Sequence, residues 1–279
     1  MSPPVPVSVI VPVLNEEGNL PGCLESVRDF ADVIVVDSGS TDQTRRIAEE
    51  YSREVVSFSW NGRFPKKRNW ALANCALRHE WILFLDADER VTPAFVEEIL
   101  RVLPTTNMNG FQLTYDNWFM GRLLRHGDPM RKVALLRRGH GAYERTNEEE
   151  WSRLDTEVHE HMVVAGGTGR IRARVEHRDQ RDLHSYFARH NEYSSWEAER
   201  WLELNATSSL RALPRRQRMK YALMPTIGLP VAYFVASYLL KAGFLDGPAG
   251  FRFAVAKMCY FWQVQFKIRE RRVARAAVE

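Results

Sequence analysis

The stretch Trp81-Ile82-Leu83-Phe84-Leu85-Asp86-Ala87-Asp88-Glu89 decides the reading of this chain, because an uncharged apolar run stops abruptly at two carboxylates separated by one small residue. A continuous apolar run flanked by charge reads as a strand covered on both faces, which implies a parallel sheet with helices packed around it. Open α/β sheets bind ligands at the carboxyl ends of their strands. Two aspartates placed there repel each other unless a cation or donor neutralises them, and their hard oxygens suit Mg²⁺ or Mn²⁺ bridging to phosphates. The competing reading is a helix N-cap, since Val91-Thr92-Pro93 and a helical pattern follow. An isolated Asp-x-Asp matches by chance too easily to choose between them.

Two further units upstream repeat the pattern. Val7 to Val13 is a β-branched strand that runs into Leu14-Asn15-Glu16-Glu17-Gly18, and Val33-Ile34-Val35-Val36 runs into Asp37-Ser38-Gly39-Ser40-Thr41-Asp42. One such end could be helix capping; three strands delivering Asn15, Glu16, Asp37, Asp86 and Asp88 to one edge suggest a polar binding rim.

Helices are expected over Gly18 to Arg28, Thr41 to Glu50, Phe64 to Leu77 (entered through Pro65) and Pro93 to Val102, giving right-handed crossovers and a parallel sheet. After Pro104 the rhythm changes. Gly110 to Tyr115, Val133 to Arg137 and Arg170 to Val175 read as strands of a mixed second half. Asp182 to Leu204 carries a helical stripe of Leu183, Tyr186, Phe187, His190, Tyr193, Ser194, Ala198, Trp201 and Leu204.

With 279 residues the chain can bury a substantial core, and its composition is that of an ordinary folded protein. Cys23, Cys75 and Cys259 are far apart in apolar or helical patterns, so neither a disulfide framework nor a metal-knuckle spacing is present. No basic region precedes an apolar run at the N-terminus, so no signal peptide is visible, and a cytoplasmic location is expected.

The net charge of +4 hides an asymmetry: Arg211 to the end carries 13 Lys+Arg against 3 Asp+Glu, or +10, and the rest is −6. Tyr221 to Leu240 holds no charge but contains Pro225, Gly228 and Pro230, with basic clusters on either side. A membrane surface wants both basic and apolar groups, whereas nucleic-acid binders rarely pair basic clusters with so long an apolar stretch. The stretch meets the minimum of about twenty residues for a spanning helix, but its prolines and glycine favour a helix pair lying in the interface. A single span and a buried core or dimer contact are the alternatives.

Pro12-Val13-Leu14-Asn15-Glu16-Glu17, Val36 to Asp42, Lys67-Arg68-Asn69-Trp70-Ala71-Leu72 and Leu85-Asp86-Ala87-Asp88, in this order, resemble the family 2 glycosyltransferases of the GT-A fold over about residues 5 to 105. Val158-His159-Glu160, Val175-Glu176-His177 and Lys241 to Gly250 resemble the lipopolysaccharide-core β-glucosyltransferase branch more weakly.

The resemblance implies an α/β chain with a mostly parallel Rossmann-like sheet, flanking helices, a mixed-sheet second half and a C-terminal helical appendage. It divides the chain into a nucleotide-sugar half at 1–105, an acceptor-binding and catalytic half at 106–210, and a basic, apolar membrane-association region at 211–279.

It also places Pro12, Asn15, Glu16 and Asp37 around the base and ribose of a UDP-sugar, and Arg68, with Lys67 as its rival, on the base or phosphate side. Asp86 would support the ribose or the metal, Asp88 would hold Mg²⁺ or Mn²⁺, and His177 would be a further metal or phosphate contact. A carboxylate such as Asp37 can accept from a pyrimidine N–H, and a guanidinium can donate to carbonyl or phosphate oxygens. For the base that activates the acceptor hydroxyl, Val-His-Glu favours Glu160 over Asp155 and Glu157, which lie in the same ionisable run. Alternation would put Glu157, His159 and His161 on one strand face and Glu160 on the other.

The expected activity is therefore inverting transfer of a hexose, glucose first, from a UDP-sugar to a lipopolysaccharide-core or other membrane glycolipid. The expected location is peripheral, at the inner face of the cytoplasmic membrane, on an anionic surface and without nucleic acid. Transfer to a protein or polysaccharide acceptor is the alternative, and a nucleotidyltransferase a more distant one. Nucleotidyltransferases usually open with a Gly-rich basic loop, while Pro12 to Gly18 holds one Gly and no Lys or Arg. A nucleic-acid-binding protein, suggested by a pI near 9.0, is opposed by Glu197, Glu199 and Glu203 around Trp196 and Trp201.

Overall fold

The computed structural model describes residues 3–146, 151–152, 154–155, 157, 161–207, 209–213 and 215–276. They form two compact units, the first made of 1–118, 129–149 and 153–180, the second of 119–128, 150–152 and 181–279. The expected halves at 1–105 and 106–210 thus fall largely within one unit. The last and longest segment of the second unit starts at Arg181, ahead of the expected boundary at Arg211.

In the first unit, β1 (Val5–Val13), β2 (Phe30–Asp37), β3 (Glu54–Ser57) and β4 (Trp81–Phe84) alternate with α1 (Leu20–Ser26), α2 (Thr44–Tyr51) and α3 (Lys67–Asn74). After β5 (Glu89–Arg90) and α4 (Pro93–Val102) come β6 (Gly110–Phe119), β8 (Arg131–Arg137), β9 (Gly141–Tyr143), β10 (Met162–Val164) and β11 (Thr168–His177). The short β7 (Arg122–Leu124) belongs to the second unit.

Among the described residues the main sheet runs β3-β2-β1-β4-β8-β6-β11-β5. The first four strands are parallel, β8 is antiparallel to both β4 and β6, and β6 and β11 are parallel. This is the α/β class expected from the sequence, a parallel half followed by a mixed one.

The apolar runs have no polar alternation because both faces of these strands are covered. Val7, Val9, Val11, Val35, Leu83 and Leu85 enter one core, while Ile10, Ile34, Val36, Ile82 and Phe84 enter another on the opposite face. Register then fixes the rim. Val13 pairs with Asp37 and Ile10 with Phe84, so Asn15, Asp37 and Asp86 all follow parallel strands off the same edge.

Three helices are shorter than expected. Helix α1 starts at Leu20 and α2 at Thr44, because Asn15 to Asn19 and Ser38 to Gln43 are used in a loop network. Pro65 does not open α3: the Phe64–Pro65 peptide is cis and the helix starts at Lys67. Helix α4 keeps its expected bounds, with Thr92 accepting from the Phe95 N–H as N-cap. Met120 and Gly121 both take positive φ, as a two-residue hairpin turn requires, so Asp116 to Arg122 is a strand and a turn.

In the second unit, α5 (Leu183–Ala206) is capped by Asp182 and packs through Ala198, Trp201, Leu202 and Leu204 on Tyr221, Tyr260, Val264 and Ile268. The N-terminal end of its expected stripe departs from the reading, since Leu183 and Phe187 are exposed. Tyr221 to Leu240 is not one helix. α6 (Arg215–Leu223) ends before Pro225, α7 (Gly228–Phe234) follows, and a π-helical turn occupies Val235–Leu240. After a short 3-10 turn at Gly243–Asp246 the chain continues as α8 (Gly247–Ala276). No single helix among the described residues is long and apolar enough to cross a membrane; Gly228–Leu240 and Gly243–Ala276 pass that test only together and are bent by 73°.

The pattern Lys241 to Gly250 has a packing role. The Asp246 carboxylate accepts from the backbone N–H groups of Arg125 and His126, and a Cβ on Gly250 would lie 2.1 Å from the Gly243 carbonyl oxygen. Because the obstacle is backbone, Gly250→Ala should destabilise the protein by about 1–3 kcal/mol, read as a lowered midpoint in a thermal or urea melt. An unchanged midpoint would show that the two segments are not held this close.

Candidate active site

The rim is a cross-stitched set of loops. Asn15, in the left-handed region at φ 53°, accepts from the Thr41 N–H at 2.8 Å through Oδ1, and its own N–H donates to Ser40 Oγ. The Glu16 N–H donates to Thr44 Oγ1 at 2.7 Å, and Glu16 Oε2 accepts from Asn19 Nδ2. Asp37 is buried and uses Oδ1 for the N–H and hydroxyl of Ser40, which leaves Oδ2 toward Arg45 at 4.0 Å. It therefore ties down its own loop at Ser40, while Thr41 is held by Asn15. Pro12 is half-buried in β1 opposite Val36.

Helix α3 presents Lys67 and Arg68, and the two do different things. Lys67 is buried, donates to the Val13 carbonyl at 3.1 Å and pairs with Asp155 at 3.1 Å. Burial pulls its pKa down, against the pull of Asp155. Arg68 reaches Asp86 Oδ1 at 2.5 Å, bonds the Glu157 carbonyl oxygen and lies over the Tyr143 ring.

Glu157 caps α3 from almost ninety residues away. Its two oxygens accept from the backbone N–H groups of Arg68 and Asn69 at 2.9 and 3.0 Å, where the helix dipole favours an anion. Asp155 is engaged with Lys67 and with the Ser38 hydroxyl. Glu160 and His159 lie outside the described residues. His161 is exposed beside Glu144, just ahead of β10.

Asp86 is clamped between cations, Arg68 on one oxygen and Lys132 on the other at 2.6 Å. Burial alone would raise its pKa; Arg68 and Lys132 override that and hold the carboxyl far below the usual carboxylate range.

Asp88 faces His177, with Oδ2 and Nε2 3.5 Å apart. The late histidine arrives there because β11 runs antiparallel to β5, pairing His177 with Glu89. Burial works against charge on both partners, but each favours the charged form of the other: Asp88 is lowered and His177 raised.

Among the described residues no group of three or more His, Cys, Asp or Glu side chains is arranged to hold a metal ion. The Asp88 carboxylate nevertheless suits Mg²⁺ or Mn²⁺, which takes few protein ligands and completes its shell with phosphates and water, and His177 can join it only as a neutral imidazole. The donor set at Asp88 and His177 fits such an ion, whereas Asp86 has both oxygens on cations.

Sequence reasoning did not single out Lys132 or Glu89. Lys132, at the start of β8, bridges Asp86 and the fully buried Glu89, 2.7 Å away. Burial pushes the Glu89 carboxyl up to about 7; Lys132 opposes this but is shared, and Asp86 and Asp88 add to the rise. A carboxyl raised above its unfolded value costs nothing while both states are protonated and removes stability as it ionises, with the loss complete above its folded pKa. The wild type should therefore lose stability between about pH 5 and about pH 7, and Glu89→Gln should flatten that slope, as thermal melts across the range will read. An unchanged slope in the variant would overturn the assignment.

One edge of the sheet thus gathers Asn15, Asp37, Asp86, Asp88 and His177 beside the cations Arg68 and Lys132. Residues 8–174 match the model of glycosyl transferase family 2, and the chain belongs to that family and is a glycosyltransferase. It is similar over 99% of its length, and 96% of the relative's, to the lipopolysaccharide core biosynthesis glycosyltransferase LpsC of Rhizobium meliloti, at 27% identity. A shorter likeness, 37% identical over 34% of the chain and 29% of the relative, is to the putative glycosyltransferase EpsH of Bacillus subtilis. Among solved structures it is similar to glucosyl-3-phosphoglycerate synthase from Mycobacterium tuberculosis in complex with Mn²⁺, UDP and glucosyl-3-phosphoglycerate. That likeness is partial: 28% identity, 41% of this chain and 44% of the other, TM-score 0.32. Family membership sets aside the nucleotidyltransferase and nucleic-acid-binding readings.

Proposed function

We propose that the chain moves a hexose, glucose first, from a UDP-sugar to a hydroxyl of a lipopolysaccharide-core or other membrane glycolipid, with inversion at the anomeric carbon and with Mg²⁺ or Mn²⁺. The observation that carries this is the Asp88 and His177 pair beside the Arg68-Asp86-Lys132 clamp in a family 2 chain. The near full-length similarity to a lipopolysaccharide core enzyme supports the acceptor class.

The chemistry has two needs, to stabilise charge on the departing pyrophosphate and to activate the acceptor hydroxyl. A bound divalent ion, held by Asp88 and His177, would supply Lewis-acid stabilisation of the leaving phosphates. Arg68 and Lys132 add positive charge at the same strand end, and Asp86 fixes where those cations sit. Asp37 offers Oδ2 to a pyrimidine N–H or a ribose hydroxyl, in a loop held rigid by Asn15, Glu16 and Ser40. The base this reading assigns is Glu160, on the resemblance carried by Val158-His159-Glu160, while Asp155 and Glu157 hold Lys67, Ser38 and the start of α3.

Attack from the face opposite the pyrophosphate inverts the sugar carbon. With purified protein, UDP-glucose and a glycolipid extract, the product should carry a β-glucosyl linkage by NMR; an α linkage would defeat the single-displacement mechanism. The same reading puts the protein peripherally on the inner face of the cytoplasmic membrane.

A further inference from the structure

The second unit carries an outward apolar row that its core does not use. Ile227, Val231, Val235 and Leu239 recur at every fourth position from the start of α7 through the π-helical turn, and all are exposed, Ile227 to 77%. Residues four apart share a helix face, and the wider π-turn keeps the last pair on it. Leu240, exposed to 80%, and Leu245 carry the row past the bend. The other side of the same run is tied down: Tyr233 and Lys241 bond Asp128 at 2.7 and 2.6 Å, and Ser237 is buried. A surface helix ordinarily turns polar residues outward, so an outward apolar face marks an interaction site.

Charge chooses the partner. No Asp or Glu occurs between Tyr221 and Leu245, exposed Arg211, Arg215 and Arg218 precede the row, and exposed Arg252 accompanies its far end. A second copy would set one strongly basic segment against another, whereas an anionic lipid surface complements it. Aromatic rings gather at the same bend, with Tyr238 5.5 Å from Phe251 and 6.4 Å from Phe244. Tyr settles at the headgroup level of bilayers, and Phe adds apolar area beside it.

We propose that Ile227 to Leu245 is an insertion edge for an anionic bilayer, lying in the interface with its row of Ile, Val and Leu among the acyl chains and the neighbouring arginines at the phosphates. The 73° bend suits a segment that dips into one leaflet and returns. This deepens the glycolipid reading by naming the residues that take the enzyme to the surface where such an acceptor resides.

The test is co-sedimentation of the full chain with phosphatidylcholine vesicles containing about a third phosphatidylglycerol, against phosphatidylcholine alone. The wild type should pellet with the anionic vesicles and release at high salt. Combined Leu239→Asp and Leu240→Asp should lower partitioning about tenfold or more, and Arg215→Gln with Arg218→Gln about fivefold per charge. A Leu239→Asp, Leu240→Asp protein that still pellets like the wild type overturns the proposal. So does a wild type that ignores vesicles but forms a dimer, in sedimentation velocity, which those aspartates dissolve. Calorimetric UDP binding by the same proteins separates the two readings, because it reports the donor site and should not change with either pair of substitutions.

Discussion

Asp88→Asn is expected to lower metal-dependent transfer about a thousandfold and to lower the melting temperature less than Asp86→Ala does, because one carbonyl oxygen still faces His177, which can shed its proton. Its carboxylate faces His177 and is the oxygen donor proposed above for a divalent ion. Asparagine keeps the volume and one carbonyl oxygen but removes the charge, so the stabilisation of the leaving pyrophosphate goes while the packing stays. Steady-state rates with Mn²⁺ and UDP-glucose, paired with a thermal melt, read both effects. Wild-type turnover in this variant would end the metal-site argument.

Asp86→Ala should behave differently although it lies only two residues away. Asp86 neutralises Arg68 and Lys132, so its removal leaves two cations facing each other, with Glu89 alone to answer Lys132. Breaking a buried pair on one side costs about 3–5 kcal/mol, and the partial exposure of this carboxylate reduces that to about 2–4 kcal/mol. We expect a melting temperature lower by several degrees together with loss of activity, and partial recovery of the midpoint when Lys132→Met is added to Asp86→Ala. An Asp86→Ala protein as stable as the wild type would mean that the clamp does not hold this strand end together.

The different behaviour of these neighbours marks how far the sequence could be read. Apolar runs ending in Asp37 and Asp86 disclosed the buried parallel strands and the rim, because strands covered on both faces leave no choice but continuous hydrophobicity. The pairing of His177 with Asp88 was legible only through family resemblance. The antiparallel return of β11 against β5 that delivers it is a long-range contact, with no local pattern.

Lys132 gave a faint signal, a cation at the head of the apolar strand Val133-Ala134-Leu135-Leu136, but nothing local says that it bridges Asp86 and Glu89. Glu157 read as a candidate base and turned out to cap α3, since a helix that starts at Lys66-Lys67-Arg68 lacks a local capping side chain and borrows a distant one. Tyr221 to Leu240 read as one apolar stretch from its lack of charge. Its Pro225 instead follows the end of α6, and the apolar residues divide between the core and an exposed row.

The measurement that tests the central claim most directly is calorimetric titration of the full chain with UDP, with and without Mn²⁺, and with GDP as competitor. UDP should bind, bind more tightly with Mn²⁺, resist displacement by GDP, and lose its metal dependence in Asp88→Asn. Absence of UDP binding in the presence of Mn²⁺ would contradict the claim and move the donor to another class, such as a lipid-phosphate sugar.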